Sequence, residues 1–318
     1  MADKKLMADK KLNDANWERE AIENIALTAI NEQKRNRFWS ILFKTLTFVY
    51  LFLILFYMLN WIGGNSTRST SSHTALIDIQ GEIGVDQVNA DSVISSLQEA
   101  YENKHTKGVI LRINSPGGSP VQAGIINDEV KRQRKLHPNI PVYAVVEDIC
   151  ASGGYYIAVA ADKIYVDKAS IIGSIGVLMD GFGFTGTMQK FGVERRLMTA
   201  GENKAMLDPF SPVNAKHQVL AQKMLNEIHQ QFIAVVKEGR GNRLKETPET
   251  FSGLFWSGEA GIRMGLADGL GSMDYVAREV IKEPNIVDFT SHEDFADRVA
   301  KRLGASMTQS LFKSVSLH

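Results

Sequence analysis

The stretch VYAVVEDICASGGYYIAVAA, Val142–Ala161, decides the fold of this 318-residue chain. Its first five residues are apolar and rich in valine, which predicts a buried strand that breaks at Glu147 and Asp148. The small residues at 155–161 predict a helix. Ser152 then stands at a strand-to-helix turn, followed directly by two glycines, where free backbone N–H groups point outward. A serine before a helix is commonly an N-cap, and this stretch alone leaves that alternative open.

Two other loops bear on the role of Ser152. The apolar run Gly108–Ile113 predicts a second strand, and the loop Asn114–Ser119 (NSPGGS) leads from it into a helix. A Pro-Gly-Gly loop lets the backbone approach a ligand closely and aim an N–H group at it. Lys204 ends the loop AGENK, where a lone lysine is normally a solvated surface charge. Each loop has an ordinary structural explanation when taken alone.

Strand and helix patterns alternate through the middle of the chain, from ALIDIQGEI at Ala75–Ile83 onward. This alternation predicts an α/β fold with largely parallel strands and right-handed crossovers. Further strands are predicted at Ile171–Val177 and Val193–Leu197, and a long helix at 212–238. A small helix-and-strand unit is predicted at Trp256–Gly271.

Five separated motifs resemble those of the signal peptide peptidase A family of membrane-bound serine proteases, peptidase family S49. They fall in the family's order and spacing within roughly residues 75–278. The resemblance implies a Clp protease/crotonase-like fold, a superhelix of repeated β-β-α units. The matching motifs are INSPGGS (Ile113–Ser119), ASGGYYIA (Ala151–Ala158), ADKI (Ala161–Ile164), GSIGV (Gly173–Val177) and the loop around Lys204.

The same resemblance implies a catalytic site. It places the nucleophile on Ser152, the general base on Lys204 and a lysine-orienting serine on Ser174. It gives one oxyanion-hole N–H to Gly118, and we pair that group with the N–H of Gly153. A helix start and a glycine loop are suitable donors for a tetrahedral oxyanion. For Ser174 a structural turn serine remains an equal alternative.

The choice of base rests on chemistry as well as resemblance. Serine is a poor nucleophile at neutral pH without a base. None of the seven histidines lies within a motif, so nothing supports a Ser-His-Asp triad, although the sequence leaves one open. A lysine accepts a proton only when neutral, and burial in a dry pocket lowers a lysine pKa toward pH 7. The sequence does not show whether Lys204 is buried.

An apolar run near the start of the chain predicts one membrane span at residues 38–62. Thr45–Ile62 is almost wholly apolar, and Lys44 is the single charge within the span. Aromatic residues lie at both ends, as is typical of membrane interfaces. A cleaved signal peptide is the competing interpretation, disfavoured by the length of the run and of the region before it.

The flanking charges predict the orientation of this span. Lys34, Arg35, Arg37 and Lys44 precede the most apolar part, whereas only Arg68 follows it closely. The positive-inside rule then places the N-terminus in the cytoplasm and the catalytic domain outside it, in the periplasm of a Gram-negative cell. The chain is therefore expected in the inner (plasma) membrane as a single-pass protein.

The chain divides by composition into five predicted parts. Residues 1–37 are a charged cytoplasmic segment, and 38–62 form the membrane helix. Residues 63–73 are a Gly/Ser/Thr-rich flexible linker. Residues 74–285 form the protease domain, and 286–318 are a polar tail.

The composition excludes some functions and leaves others open. The 36 Lys and Arg residues balance 36 Asp and Glu residues, so the net charge gives no support for a nucleic-acid partner. Cys150 is the one cysteine, which excludes an intrachain disulfide framework. Its position two residues before Ser152 suits a buried packing residue better than a nucleophile.

The function implied is that of a membrane-anchored serine endopeptidase that degrades cleaved signal peptides through an acyl-enzyme. No metal or cofactor is expected, and family resemblance implies a ring-like homo-oligomer, a tetramer or octamer. One alternative is a protease of the type that partners stomatin-like proteins. Another is a crotonase-like enzyme or a scaffold, which would keep Gly118 and Gly153 but not need Ser152 and Lys204.

Overall fold

The computed structural model describes residues 32–57, 71–85 and 87–291, together with residues 23, 27 and 30. The chain divides into two units, of which the larger is Thr67–Glu293. Most of the predicted cytoplasmic segment 1–37 lies outside the described residues. So do residues 58–62 of the predicted span, most of the predicted linker and the tail from residue 292.

The predicted apolar helix is present as α1, Glu32–Tyr57. By length and composition it is able to cross a membrane, because its 26 residues extend about 39 Å at the rise of an α-helix. None of its most apolar window is buried against protein. Its continuously described part extends six residues before the predicted start at residue 38.

The larger unit is built on one eight-stranded sheet. The strands run in the order β6-β5-β3-β2-β1-β8, while β4 pairs with β3 and β7. All the strand pairs are parallel except β5 with β6. The predicted α/β class with largely parallel strands is confirmed. The strands are β1 His73–Gln80, β2 Thr106–Ser115, β3 Val142–Ala151, β4 Lys163–Val166, β5 Ile171–Gly173, β6 Phe255–Ser257, β7 Gly269–Leu270 and β8 Ile286–Asp288.

Helices cover both faces of this sheet, which is why its central strands are apolar on both sides. Ile77 and Ile79 belong to the larger core, beneath α2, α3 and α4. Leu76 and Ile110 face the other way and pack with the Val276–Ile281 turn. The helices are α2 Ala90–Glu102, α3 Pro120–Leu136, α4 Gly153–Ala158, α5 Thr185–Lys190, α6 Ala215–Arg240, α7 Gly258–Met264 and α8 Met273–Tyr275, the last continuing as the π-helical turn Val276–Ile281.

Strand β3 continues five residues beyond its predicted end. It pairs with β4 through residues 143–145 and with β5 through residues 149–151. Glu147 and Asp148 lie between these two pairings and are exposed. On the opposite side of β3, the register of its pairing with β2 shifts between Ile113 and Ser115, which marks a β-bulge. The two polar residues therefore mark a bulge rather than the end of the strand.

Three other boundaries differ from prediction. The predicted strand Ile171–Val177 ends at Gly173, because Ser174 adopts a positive φ of 52° that strands do not use. Val193–Leu197 forms no strand among the described residues. β8 pairs with β1 and extends the sheet to Asp288, into the segment predicted as tail. The other domain limits stay predictions.

Candidate functional site

Ser152 is the only residue between β3 and α4, and the chain turns sharply there. Its backbone angles are φ 50° and ψ −119°, and its side chain makes no capping hydrogen bond to α4. The backbone instead fixes the turn: the Ser152 N–H donates to the carbonyl oxygen of Gly173 at 2.8 Å, and its carbonyl oxygen accepts from the Tyr156 N–H at 2.9 Å. Ser152 therefore occupies the N-cap position of α4 without capping it, and its hydroxyl makes no hydrogen bond with any described residue.

Positive φ values at non-glycine residues are uncommon and costly. Among the described residues four adopt them: Ser152, Ser174, Leu207 and Lys282. Two of these four are predicted site residues. A backbone in such a region costs of the order of 1–3 kcal/mol and persists where the surroundings over-determine it. Here the buried strands β3 and β5 hold the two serines in place.

The Pro-Gly-Gly loop lies directly against Ser152. A Cβ added at Gly117, whose φ is +110°, would stand 2.6 Å from the Cβ of Ser152. The loop is held by Ile83, whose N–H donates to the Gly117 carbonyl oxygen at 2.7 Å. Sequence reasoning selected Gly118 and missed Gly117. The signal was present in the doublet, but spacing does not say which glycine makes the close approach.

The backbones of Gly118 and Gly153 approach each other closely. Ile83 pairs with the Gly117 carbonyl and with the Ser119 N–H, so the Gly118 N–H between them points away from Ile83. A Cβ built on Gly153 would lie 3.3 Å from the Gly118 nitrogen. Within the described residues neither amide has a hydrogen-bond acceptor. Two adjacent free donors beside a serine form a suitable oxyanion hole.

Ser174 lies at the carboxyl end of β5, one residue after the Gly173 carbonyl that binds Ser152. Its N–H donates to the carbonyl oxygen of Leu254 at 2.8 Å, and its half-buried hydroxyl makes no hydrogen bond to any described residue. His229 reaches this region from α6, where its Nε2 donates to the carbonyl oxygen of Ile175 at 3.1 Å. The structure therefore brings Ser152, Ser174, Gly118 and Gly153 to one edge of the sheet.

Lys204 stands apart from these four residues. It lies on a turn closed by its own N–H to the Gly201 carbonyl oxygen at 3.1 Å, and its side chain is exposed. Its ammonium makes no ion pair or hydrogen bond with any residue that the structure describes. Among the described residues no hydrogen bond joins it to Ser152 or Ser174.

Lys204 belongs to residues 178–214, here named the lysine segment, which fold largely on themselves. Arg195 forms an ion pair with Asp208, and Phe184 stacks on Phe210 at 5.3 Å between ring centroids. Hydrogen bonds from the Arg195 guanidinium and the Ser211 hydroxyl lower the pKa of Asp208 to about 2. One strongly held carboxylate thus ties distant parts of the lysine segment together.

The surface of the lysine segment is unusually apolar. Met198 is 94% exposed, and several other large apolar side chains are nearly as open. Together with the first turns of α6 the segment lines a cleft of about 640 Å³. Exposed apolar patches of this extent on a soluble domain mark surfaces that bind another molecule. The most exposed members are Leu178, Phe182, Phe191, Met198 and Val213.

Cys150 is a packing residue, as expected. It is fully buried in the larger core, and burial raises the pKa of its thiol. A thiol held neutral in this way is a poor nucleophile. Ser119 and Ser170 are also structural, since Ser119 caps α3 and the hydroxyl of Ser170 donates to the Glu147 carbonyl oxygen.

The fold and this edge of the sheet define a class: an α/β domain that holds a strained serine against a glycine loop. The family model for peptidase family S49 matches residues 134–286 of this chain. A putative signal peptide peptidase from Enterococcus faecium is 30% identical over 205 residues, which cover 64% of this chain and 59% of that protein.

Two other relatives are similar over comparable lengths. A putative protease of Methanocaldococcus jannaschii is 32% identical, over 63% of this chain and 65% of that protein. A Brucella melitensis protein described as Na(+)/H(+) antiporter NhaA is 46% identical over 182 residues, 57% of this chain but 25% of that protein. The chain therefore spans less than two thirds of the length of each of these relatives.

Two solved structures are similar to this chain at lower sequence identity. A mutant of the membrane-bound stomatin-specific protease 1510-N with a substrate peptide has a TM-score of 0.48 and 16% identity, over 74% of this chain and 98% of that one. A ClpP1 mutant from Listeria monocytogenes has a TM-score of 0.41 and 17% identity, over 62% of this chain and 91% of that one.

Proposed function

We propose that this chain is a membrane-anchored serine endopeptidase with Ser152 as its nucleophile and Lys204 as its general base. The observation that carries the proposal is the turn at Ser152. Its hydroxyl has no structural role, its backbone is held in a costly conformation, and the free amides of Gly118 and Gly153 stand beside it. That is the set of groups an acyl-transfer reaction requires.

The proposed reaction proceeds through an acyl-enzyme. The Ser152 Oγ attacks the carbonyl carbon of the peptide while the neutral amine of Lys204 takes its proton, and Ser174 orients that amine. The N–H groups of Gly118 and Gly153 stabilise the negative charge on the carbonyl oxygen. The C–N bond then breaks as the lysine ammonium returns its proton to the leaving amine. A water molecule, deprotonated by the same amine, hydrolyses the ester and frees Ser152.

The exposed position of Lys204 suggests that a second copy of the chain completes the site. A lysine in water is protonated at neutral pH and cannot accept a proton. The apolar surface of the lysine segment would be covered in a ring-like homo-oligomer, a tetramer or octamer, which would also exclude water from the lysine. Burial lowers a lysine pKa and so supplies the neutral amine.

Membrane attachment through α1 and the family together suggest the substrates. The relative from Enterococcus faecium is named as a putative signal peptide peptidase. Remnant signal peptides are apolar in the middle, and the apolar cleft between the lysine segment and α6 suits such a chain. With the N-terminus in the cytoplasm, the peptidase domain would act on the other side of the inner membrane.

Two alternatives use the same residues differently. A stomatin-partner type of protease would share the Ser-Lys chemistry and cut another substrate. A crotonase-like enzyme or scaffold would need the two amides without Ser152 and Lys204. Antiport is not proposed from the Brucella relative, since the described part of this chain has one helix long and apolar enough to cross a membrane.

Cleavage by the detergent-solubilised full chain tests the proposal. The substrate is a fluorogenic peptide with an apolar signal-sequence core. Ser152→Ala and Lys204→Ala should each lower turnover at least about a thousandfold, because the two groups act as a unit. Lys190→Ala, another exposed lysine of the same segment, should retain wild-type activity.

The alternatives predict different results. Retention of most activity in Lys204→Ala would move the base elsewhere, and His229→Gln would be tested next. A wild-type chain that cuts no peptide would favour the crotonase-like or scaffold function.

A further inference from the structure

A second cleft lies on the domain, away from Ser152. Its volume is about 740 Å³, and it is formed by the ends of α3 and α6 and the starts of β3 and β4. Most of its charged groups are basic, and we name it the basic groove. Its basic side chains are Lys131, Arg134, Lys135, His137, Lys163 and Arg243, against the two carboxylates of Asp162 and Glu238.

The two carboxylates of the basic groove are already paired. Lys131 binds Glu238 at 2.6 Å, and Arg134 binds Asp162. Lys135 and Lys163 are exposed and have no ion pair with any described residue. Both lysines are therefore surplus positive charge.

Arg243 adds further positive charge to the groove, because it shares its carboxylate partner with a second arginine. Arg240 is 1% exposed and holds both oxygens of Asp268, at 2.8 and 3.0 Å. Arg243 also contacts that carboxylate, at 3.2 Å. Two guanidinium groups thus share one carboxylate, and Arg243, which lines the groove, adds to its net positive charge.

Helix ends explain only part of this charge. Arg134 and Lys135 lie in the last turn of α3, where cations offset the partial negative charge of the helix terminus. Lys163 begins a strand, and Arg243 lies beyond the end of α6. Arg243 nevertheless donates to the carbonyl oxygens of Gly239 and Arg240 at the end of α6, so Lys163 is the cation with no helix end to offset.

The basic groove lies at the end of the sheet where strands β1 to β4 begin. The chain also enters the domain at this end. The strands β1, β2, β3 and β4 are parallel, so their starts share one edge. β1 begins there at His73, and Ser152 follows the opposite end of β3. Residues 63–72, between the predicted span and β1, reach at most about 35 Å when fully extended.

We propose that the basic groove docks on the anionic phospholipid headgroups of the membrane that holds α1. The inference rests on the proposed membrane attachment, which keeps this edge within reach of the lipid surface. Phosphate oxygens would pair with Lys135 and Lys163, which have no ion-pair partner among the described residues. Ser152 would then stand about 30 Å from the lipid, the length of β3. Substrates would have to leave the bilayer before cleavage.

The test uses the full chain carrying Asn139→Cys, in the exposed turn beside the groove. Cys150 is buried, so a fluorescent donor attaches only to the new cysteine. The protein is reconstituted into vesicles of phosphatidylcholine, or of phosphatidylcholine with phosphatidylglycerol, each with an acceptor dye on the lipid headgroups. Energy transfer should be higher with phosphatidylglycerol and should fall as salt is raised.

A matched pair of variants locates the effect. Lys135→Glu with Lys163→Glu should lower the docked fraction in phosphatidylglycerol vesicles at least about tenfold. Lys168→Glu is the control, because Lys168 is an exposed lysine just beyond the other end of β4. It should dock as the wild type does.

Several outcomes would overturn the proposal. One is equal transfer in both kinds of vesicle, and another is equal loss in the Lys168→Glu control. A third is release of the domain by inorganic phosphate at constant ionic strength, which would make the groove a site for free phosphate. Failure of the chain to float with phosphatidylcholine vesicles would remove membrane attachment itself, and with it this inference, while leaving the peptidase chemistry untouched.

Discussion

At the scale of single residues, two backbone conformations that serine rarely adopts define the site. Ser152 and Ser174 both adopt positive φ, and the Gly173 carbonyl between them in space accepts the Ser152 N–H. Glycine would adopt each conformation without strain. The strain of the two serines therefore lowers the stability of the fold, which indicates that these residues serve a purpose other than stability.

Ser152→Gly should make the folded domain more stable than Ser152→Ala does. Glycine removes the strain of φ 50°, ψ −119°, whereas alanine keeps it. The difference should be about 1 kcal/mol or more in the free energy of unfolding. Chemical denaturation of the two variants in the same detergent measures it. Equal stabilities would mean that the turn is unstrained.

Gly117→Ala should abolish cleavage and destabilise the domain. The new methyl group would stand 2.6 Å from the Ser152 Cβ, on a backbone whose φ of +110° disfavours alanine. Gly124→Ala is the control, because nothing lies within 4 Å of a Cβ at this site in α3. It should raise stability by about 0.5–1 kcal/mol and leave cleavage unchanged. Normal turnover in Gly117→Ala would show that the loop moves freely away from Ser152.

At the scale of elements, sequence reasoning worked where an element is held by the core. The sequence predicts the strands β1, β2 and β3 and the helices α3 and α6, because their apolar patterns match the period of the structure they form. The end of β3 differs from the prediction because Glu147 and Asp148 are polar. The bulge that they form depends on β4 and β5 pairing with successive parts of β3. Val193–Leu197 has a strand-like composition but no neighbouring strand.

The lysine segment depends on one carboxylate, and acid should loosen it. The pKa of Asp208 is lowered to about 2, chiefly by the hydrogen bond from Arg195. A lowered pKa in the folded state stabilises the fold above the ordinary aspartate pKa of about 3.9, and this stabilisation is lost as the pH falls toward 2. Pepsin cleavage within residues 178–214 should therefore accelerate between pH 4 and pH 2.

Variants of the same segment check the cause. Asp208→Asn should be cut readily across that whole pH range, because the ion pair is absent at every pH. Glu194→Gln, which removes an exposed ion pair with Arg196, should behave as the wild type does. Identical acid profiles for Asp208→Asn and the wild type would show that another group closes the segment.

At the scale of the whole molecule, the proposed dyad requires the exposed Lys204 to be shielded from water. Four of the five predicted site residues follow strands of one sheet, so the sheet brings them together. Lys204 lies in a segment with no fully buried side chain, and under the proposed function a second copy of the chain would cover it. Sequence motifs name such a residue without locating it.

Mixing two inactive chains should restore activity. Ser152→Ala supplies an intact lysine, and Lys204→Ala supplies an intact serine. Random assembly across a head-to-tail interface should regenerate about a quarter of the wild-type sites. Mixing Ser152→Ala with the double variant is the control and should stay inactive. No recovery after demonstrated subunit exchange would place both groups in one chain.

The short pairing of β8 with β1 determines how easily the domain could be inserted into another chain. Thr74 lies opposite Ile286, so the entry and exit of the folded domain are neighbours in space. A domain with adjoining ends can be inserted into a host chain as a cassette, because the host backbone is interrupted over only a short distance. Segments similar to this chain fill 65% of one relative and 25% of another, as expected of a portable unit.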